Sequence, residues 1–137
     1  MRERYEGLVN NYDKYTYHIL GCGAIGSAAA TQLVRMGANN LVLYDMDTVG
    51  TENIGVSQYT REDLNKLKVE ALREQLKKIN PDCAVNTFNN RFSANDWRPR
   101  NSATNDVVVL GFDSMASRKE AMEIILHSDR PAFVIDG

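Results

Sequence analysis

Gly21, Gly23 and Gly26, spaced GxGxxG, stand between a short apolar run ending at Leu20 and a helix-forming run rich in Ala, Leu and Gln. A loop of this kind holds phosphate. The first glycine allows a tight turn, the second lets backbone approach the anion, and the third lets the helix pack close to a sheet. Around Ala24, Ile25 and Gly26 the helix start offers unpaired N–H groups and partial positive charge. Asp45 ends the next apolar run, 19 positions after Gly26, where an acid accepts hydrogen bonds from ribose hydroxyls. These features serve NAD and ATP equally.

The residues further along separate the two. "DMDTVGTEN" carries a second acid, Asp47, and then Asn53; Lys68 follows in a helical pattern, and "FDSMASR" places Asp113 and Arg118 together. A lysine is a point charge suited to phosphate oxygens. A carboxylate beside the same crevice suits Mg²⁺ shared between protein and phosphates. Hydride transfer needs neither, whereas nucleotidyl transfer benefits from both. The residues favour ATP with Mg²⁺. The surface of the Lys68 helix also carries Lys66, Lys77 and Lys78, so a solvated lysine is the competing reading. Arg118 is expected to brace the Asp113 loop or its helix, and is assigned no chemistry.

Positioning these groups requires alternating strands and helices. Residues 17–21, 41–45, 84–88, 107–111 and 132–136 are short apolar runs bounded by turn formers, and read as strands. Helices are expected over residues 27–36, 61–79 and 114–127, the second behind Thr60 with Asp63 as a capping-box acid. In the third, Met115, Ala116, Met122, Ile125 and Leu126 are the expected core contacts. Residues 89–105 read as a loop with a short helical turn. The pattern predicts an α/β, Rossmann-like doubly wound parallel sheet of about five strands in the order 3-2-1-4-5, with its crevice at the carboxyl ends of strands one and four. Residues 1–16 read as an N-terminal arm or helix and 17–137 as the nucleotide-binding domain.

At 137 residues, 43% apolar and 25% charged, the chain fits one ordinary globular domain. A net charge of −2 gives no general attraction to nucleic acid or anionic membrane, and no apolar run is long enough to span a bilayer. The two cysteines, Cys22 and Cys83, form no metal-ligand spacing, and are expected as reduced thiols in a cytoplasmic setting. His18 and His127, far apart, read as a strand-face and a surface histidine.

The motifs "GCGAIGS", "LYDMDTVGTENI", "LKVEAL", "INPDCAV", "GFDSMASR" and "VIDG" together resemble the nucleotide-binding half of the ThiF/MoeB/HesA family. This is the adenylating fold shared with the activating enzymes of ubiquitin-like proteins. The resemblance implies an ATP-dependent adenylyltransferase that activates the C-terminal carboxylate of a β-grasp protein or peptide. It implies that the glycine loop holds the nucleotide, Asp45 its ribose, Asn53 and Lys68 its phosphates, and Asp113 the Mg²⁺. Where the family has a phosphate arginine this chain has Val56, with Arg61 the nearest substitute. The run ends at the fifth strand, without the acceptor groove or thioester cysteine of full-length members, and neither Cys22 nor Cys83 replaces that cysteine. A homodimer or partner subunit is expected over the open sheet edge, and Arg2 or Arg4 could reach a neighbouring subunit. A catalytically inactive partner subunit and an NAD(P)-binding domain are the alternatives.

Overall fold

The computed structural model describes residues 10–97, 105–128 and 132–136. Strands β1 (Tyr15–Leu20), β2 (Asn40–Tyr44), β3 (Ala84–Phe88), β4 (Asn105–Leu110) and β5 (Phe133–Asp136) form one parallel sheet in the order β3-β2-β1-β4-β5. Helices α1 (Ala24–Arg35), α2 (Lys68–Ile79) and α3 (Met115–Leu126) lie between them. The doubly wound order expected from the alternation is the one observed. Each strand lies within two residues of its expected bounds, because β-branched and aromatic runs bounded by turn formers leave little freedom.

The register matters for the site. Leu20 of β1 stands opposite Tyr44 of β2 and Leu110 of β4. Three strands therefore finish at the same level, and the loops that follow meet on one rim. Alternate residues feed two cores. Ile19, Leu41, Leu43 and Val109 pack under α1 and α2, where Val34, Leu72 and Leu76 close over them. Leu20, Val42, Val108 and Leu110 pack on the other face against Phe92, Trp97 and the Ala121 and Ile125 pair of α3. Burial on both faces explains why the central strands read as continuous apolar runs.

Several expectations need correction. α1 begins at Ala24, where the glycine loop places the helix start and three residues before the apolar run at 27, since Gly23 already supplies the extended N-cap. α2 begins at Lys68, seven residues after the expected start. Thr60 and Asp63 do interact, the Asp63 carboxylate accepting from the Thr60 N–H at 2.8 Å, but they close a separate 3-10 turn, Arg61–Asp63. Asn65 then takes a left-handed φ of 68°, which no helix accommodates. Met115, Ala116 and Leu126 are exposed rather than core, because only the one-turn-apart Ala121 and Ile125 of α3 are buried. The turn expected within residues 89–105 is a 3-10 turn at Ala94–Asp96. Of the expected arm, a 3-10 turn covers Asn10–Lys14; Arg2 and Arg4 lie outside the described residues.

Candidate functional site

β1 ends in the glycine loop, whose turn needs glycine at Gly21: its φ is +96°, and an added Cβ would sit 2.8 Å from the Gly111 carbonyl carbon. At Gly26 an added Cβ would meet the Gly21 oxygen at 1.8 Å, so the first turn of α1 lies directly against the loop. Gly111, at the end of β4, is as tightly held: a Cβ there would lie 2.5 Å from the Gly21 oxygen and 2.8 Å from Gly26 Cα. Three glycines thus interlock β1, α1 and β4. Sequence spacing identifies two of them; Gly111 opens the GFDSMASR motif, but its packing role is not read there because its reason is a contact between distant segments.

Where these loops meet, a cleft of about 410 Å³ opens at the carboxyl ends of β1, β2 and β4. This is the reversal point of strand order, where open α/β sheets hold ligands. Of the residues singled out in the sequence, Gly21, Gly23, Asp45, Asp47, Lys68 and Asp113 line it. Ala24 and Ile25 stand exposed on the first turn of α1, outside the lining, and Gly26 is buried beneath the loop. Asn53 is also outside the lining, with its Oδ1 accepting the Gly50 N–H at 2.9 Å.

Asp45 is fixed by two backbone donors: Cys22 N–H reaches Oδ2 and Asp47 N–H reaches Oδ1, each at 2.8 Å. Each oxygen keeps a further lone pair for an incoming hydroxyl. The Asp113 carboxylate lies over the loop, within 3.4 Å of where a Gly23 side chain would be. Its loop is braced, as expected, by Arg118, whose Nε donates to the Phe112 carbonyl at 2.8 Å.

Lys68 is brought to the cleft by an irregular antiparallel segment. Val49 N–H donates to Lys66 O, Asn65 N–H to Val49 O, and Lys68 N–H to Asp47 O, at 2.8 to 3.0 Å. The residue is only 8% exposed. Among the described residues, no carboxylate lies within ion-pair distance of its ammonium. Lys66 instead pairs with Glu74 on the exposed surface, so the solvated-lysine reading fits Lys66 and fails for Lys68. A buried cation without a counter-ion is costly, and a phosphate oxygen would supply what is missing.

The opposite wall comes from the loop after β3 and from α3. It includes Arg91 and Glu120, whose side chains form an ion pair, together with Phe92 and Ser117. Nothing in residue spacing marks this wall. Both cysteines are free and buried. Burial, with the Asp45 carboxylate adding to it, pushes the Cys22 thiol well above its usual range. His18 is the strand-face histidine expected, buried against Trp97 and hydrogen-bonded to Asp106 at 2.8 Å, and takes no part in the cleft. Val56 and Arg61 are exposed and stand outside the cleft lining.

The family model described as the ThiF family matches residues 6–134. The chain is 40% identical over 86 residues to ubiquitin-like modifier-activating enzyme 5 of Dictyostelium discoideum, covering 61% of this chain and 23% of that protein. The corresponding Arabidopsis thaliana protein is 35% identical over 85 residues, 60% of this chain and 20% of its own length. The chain therefore spans about a fifth of the length of these relatives. Among solved structures, it superposes on TcdA (CsdL) with a TM-score of 0.82 at 22% identity, over 97% of this chain and 53% of that one. It superposes on E. coli MccB with ATP with a TM-score of 0.66 at 23% identity, over 79% and 32%. These likenesses establish the fold.

Proposed function

The chain belongs to the ThiF family, and from that premise we propose that it is the nucleotide-binding part of an ATP-dependent adenylyltransferase. Its substrate would be the C-terminal carboxylate of a ubiquitin-like, β-grasp protein or of a peptide. In the reaction that carboxylate bonds to the α-phosphorus of ATP as the bond to the β-phosphate bridging oxygen breaks, giving an acyl-adenylate and pyrophosphate. The names of the relatives support this class: modifier-activating enzymes by sequence, and by fold MccB, which has been solved both with ATP and with the peptide MccA.

The observation that carries the nucleotide assignment is Lys68, buried at the cleft without a carboxylate partner among the described residues. In this reading the ammonium takes phosphate oxygens, and the glycine loop supplies backbone N–H groups at Gly23 and the start of α1. Asp45 takes ribose hydroxyls with its free lone pairs. Asp113 fits a metal that keeps waters and leans on phosphates: it is one exposed carboxylate beside the loop, and no cluster of three metal-binding side chains occurs among the described residues. Mg²⁺ held there would neutralise charge building on the phosphates. Positioning and charge neutralisation are the main sources of rate in such transfers.

Val56 favours a second reading. It stands exposed at the position where the family resemblance expects a phosphate arginine, so a chain that binds nucleotide without turning it over is the alternative. Both readings are tested by titrating ATP with and without Mg²⁺ into the parent and the Asp113→Asn variant. The proposal expects Mg²⁺ to strengthen binding to the parent but not to the variant. Equal Mg²⁺ dependence in the two would show Asp113 to be only a loop acid. Pyrophosphate exchange dependent on a free glycine carboxylate then separates enzyme from inactive partner.

A further inference from the structure

Tyr59 lies outside every motif that spacing marks, yet it is 2% exposed and reaches the back of the glycine loop. Its hydroxyl donates to the Cys22 carbonyl oxygen at 2.5 Å and lies 3.4 Å from the Lys68 carbonyl oxygen. Cys22 sits between Gly21 and Gly23; Lys68 is the first residue of α2. One buried hydroxyl therefore touches the two segments that would face phosphate, and it does so from behind, outside the cleft lining.

The segment carrying Tyr59 is itself anchored. Gln75 of α2 donates to the Gln58 carbonyl at 2.8 Å and to the Asp63 carboxylate at 3.1 Å, clasping the chain on both sides of Tyr59. A backbone bridge between Ile54 and Tyr59 closes the turn before it. Burial, together with the neighbouring Cys22, Asp45 and Asp63, raises the Tyr59 pKa far above its ordinary value, so the group remains a donor. A buried carbonyl that loses its donor carries the whole desolvation penalty, and the Cys22 oxygen is such a carbonyl.

We propose that Tyr59 is a positioning residue for the phosphate end of the cleft, its hydroxyl holding the glycine loop and the start of α2 in fixed relation. The proposal rests on the nucleotide reading for its consequence, but the coupling itself is a property of the free chain. The hydroxyl gives its one proton to the Cys22 carbonyl, with the Lys68 carbonyl at the edge of its reach, and touches neither Asp45 nor the Arg91–Phe92 wall, which would hold the nucleoside; Asp45 takes the Cys22 N–H but keeps the Asp47 N–H as well. Its loss should therefore discriminate between ends of the ligand.

The test compares the parent with Tyr59→Phe in two ways. In calorimetric titrations, ATP·Mg²⁺ should bind the variant about tenfold more weakly, the scale of one buried hydrogen bond. Adenosine should change less than about twofold by the same reasoning. An equal loss for both ligands would mean a merely structural tyrosine and would overturn the proposal. Without nucleotide, the Cys22 and Lys68 amides should both exchange faster in the variant while those of β1 and β4 are unchanged; unchanged exchange at both amides would also overturn it. If the parent binds no ATP, the nucleotide reading fails, and the exchange measurement still decides the coupling. Should Tyr59→Phe not fold, a Tyr59 hydroxyl proton protected from solvent in the parent supports the contact, and a freely exchanging one overturns it.

Discussion

At Gly26 the added Cβ of an alanine would meet the Gly21 carbonyl oxygen at 1.8 Å, a backbone atom that cannot swing aside. Gly26→Ala should therefore cost several kcal/mol, in the range of severe overpacking, and chemical denaturation should find little folded protein. Gly55 is the control. Its φ is +88° but nothing lies within 4 Å, so Gly55→Ala should cost only about 1 kcal/mol, the strain of a left-handed alanine. Lys68 makes the opposite case. Lys68→Met should raise stability by about 1 kcal/mol, because an unpaired cation leaves a buried position. The same variant should lose ATP affinity; a stabilised variant that binds ATP normally would show that Lys68 does not meet phosphate. Gly21, Gly23 and Asp45 were legible because each obeys a local spacing rule. The roles of Gly111 and Tyr59 were not, because each is defined by a contact to a carbonyl 90 or 37 positions away in the chain, Gly21 and Cys22 respectively.

Strands and helices differ in how openly the sequence announces them. The β-runs are bounded by turn formers and flanked by polar residues, so their limits are almost determined. α2 is the instructive failure. Leu64 and Leu67 continue the apolar stripe of the helix, yet the backbone there follows the Asp47–Val49 segment in a bridge at Thr48 and Leu67. Hydrogen bonding between segments overrides local periodicity. The interruption is also what delivers Lys68 to the cleft at the first position of α2. Ionisation adds a check on the β1 core. Burial, with Tyr12 and Tyr15 nearby, pushes the Tyr17 hydroxyl up to about 12. Its ordinary value is 10.0, so the unfolded chain loses this proton first. Stability should be unaffected by this group below pH 10 and should fall by about 1.4 kcal/mol per pH unit between 10 and 12. Denaturant midpoints across that range, with Tyr17→Phe as the comparison, measure the slope; an identical decline in Tyr17→Phe would assign it elsewhere.

Among the described residues, the helices leave one part of the sheet open. On the side covered by α1 and α2, Phe133 and Ile135 of β5 are 71% and 52% exposed, while Val107 and Val109, their neighbours in register, are buried. An apolar strand at a sheet edge is a template for association. We expect a twofold dimer or a partner subunit there, and sedimentation at micromolar concentration should show association that Phe133→Lys weakens; a clean monomer would count against it. No helix among the described residues is long and apolar enough to cross a membrane. The fold class was legible as a whole because alternation of strand and helix permits few topologies. The ligand was legible only in part: a glycine loop and a strand-end acid are common to two nucleotide chemistries, Lys68 and Asp113 turn the reading to ATP with Mg²⁺, and the burial of Lys68 beside the cleft supports it. Parallel calorimetric titrations with ATP·Mg²⁺, NAD and NADP test that separation most directly. A terminal triphosphate that neither dinucleotide carries, met by Lys68 and by Mg²⁺ at Asp113, predicts ATP·Mg²⁺ binding at least about tenfold tighter than either dinucleotide; NAD or NADP binding as tightly as ATP·Mg²⁺, or more so, would contradict the account.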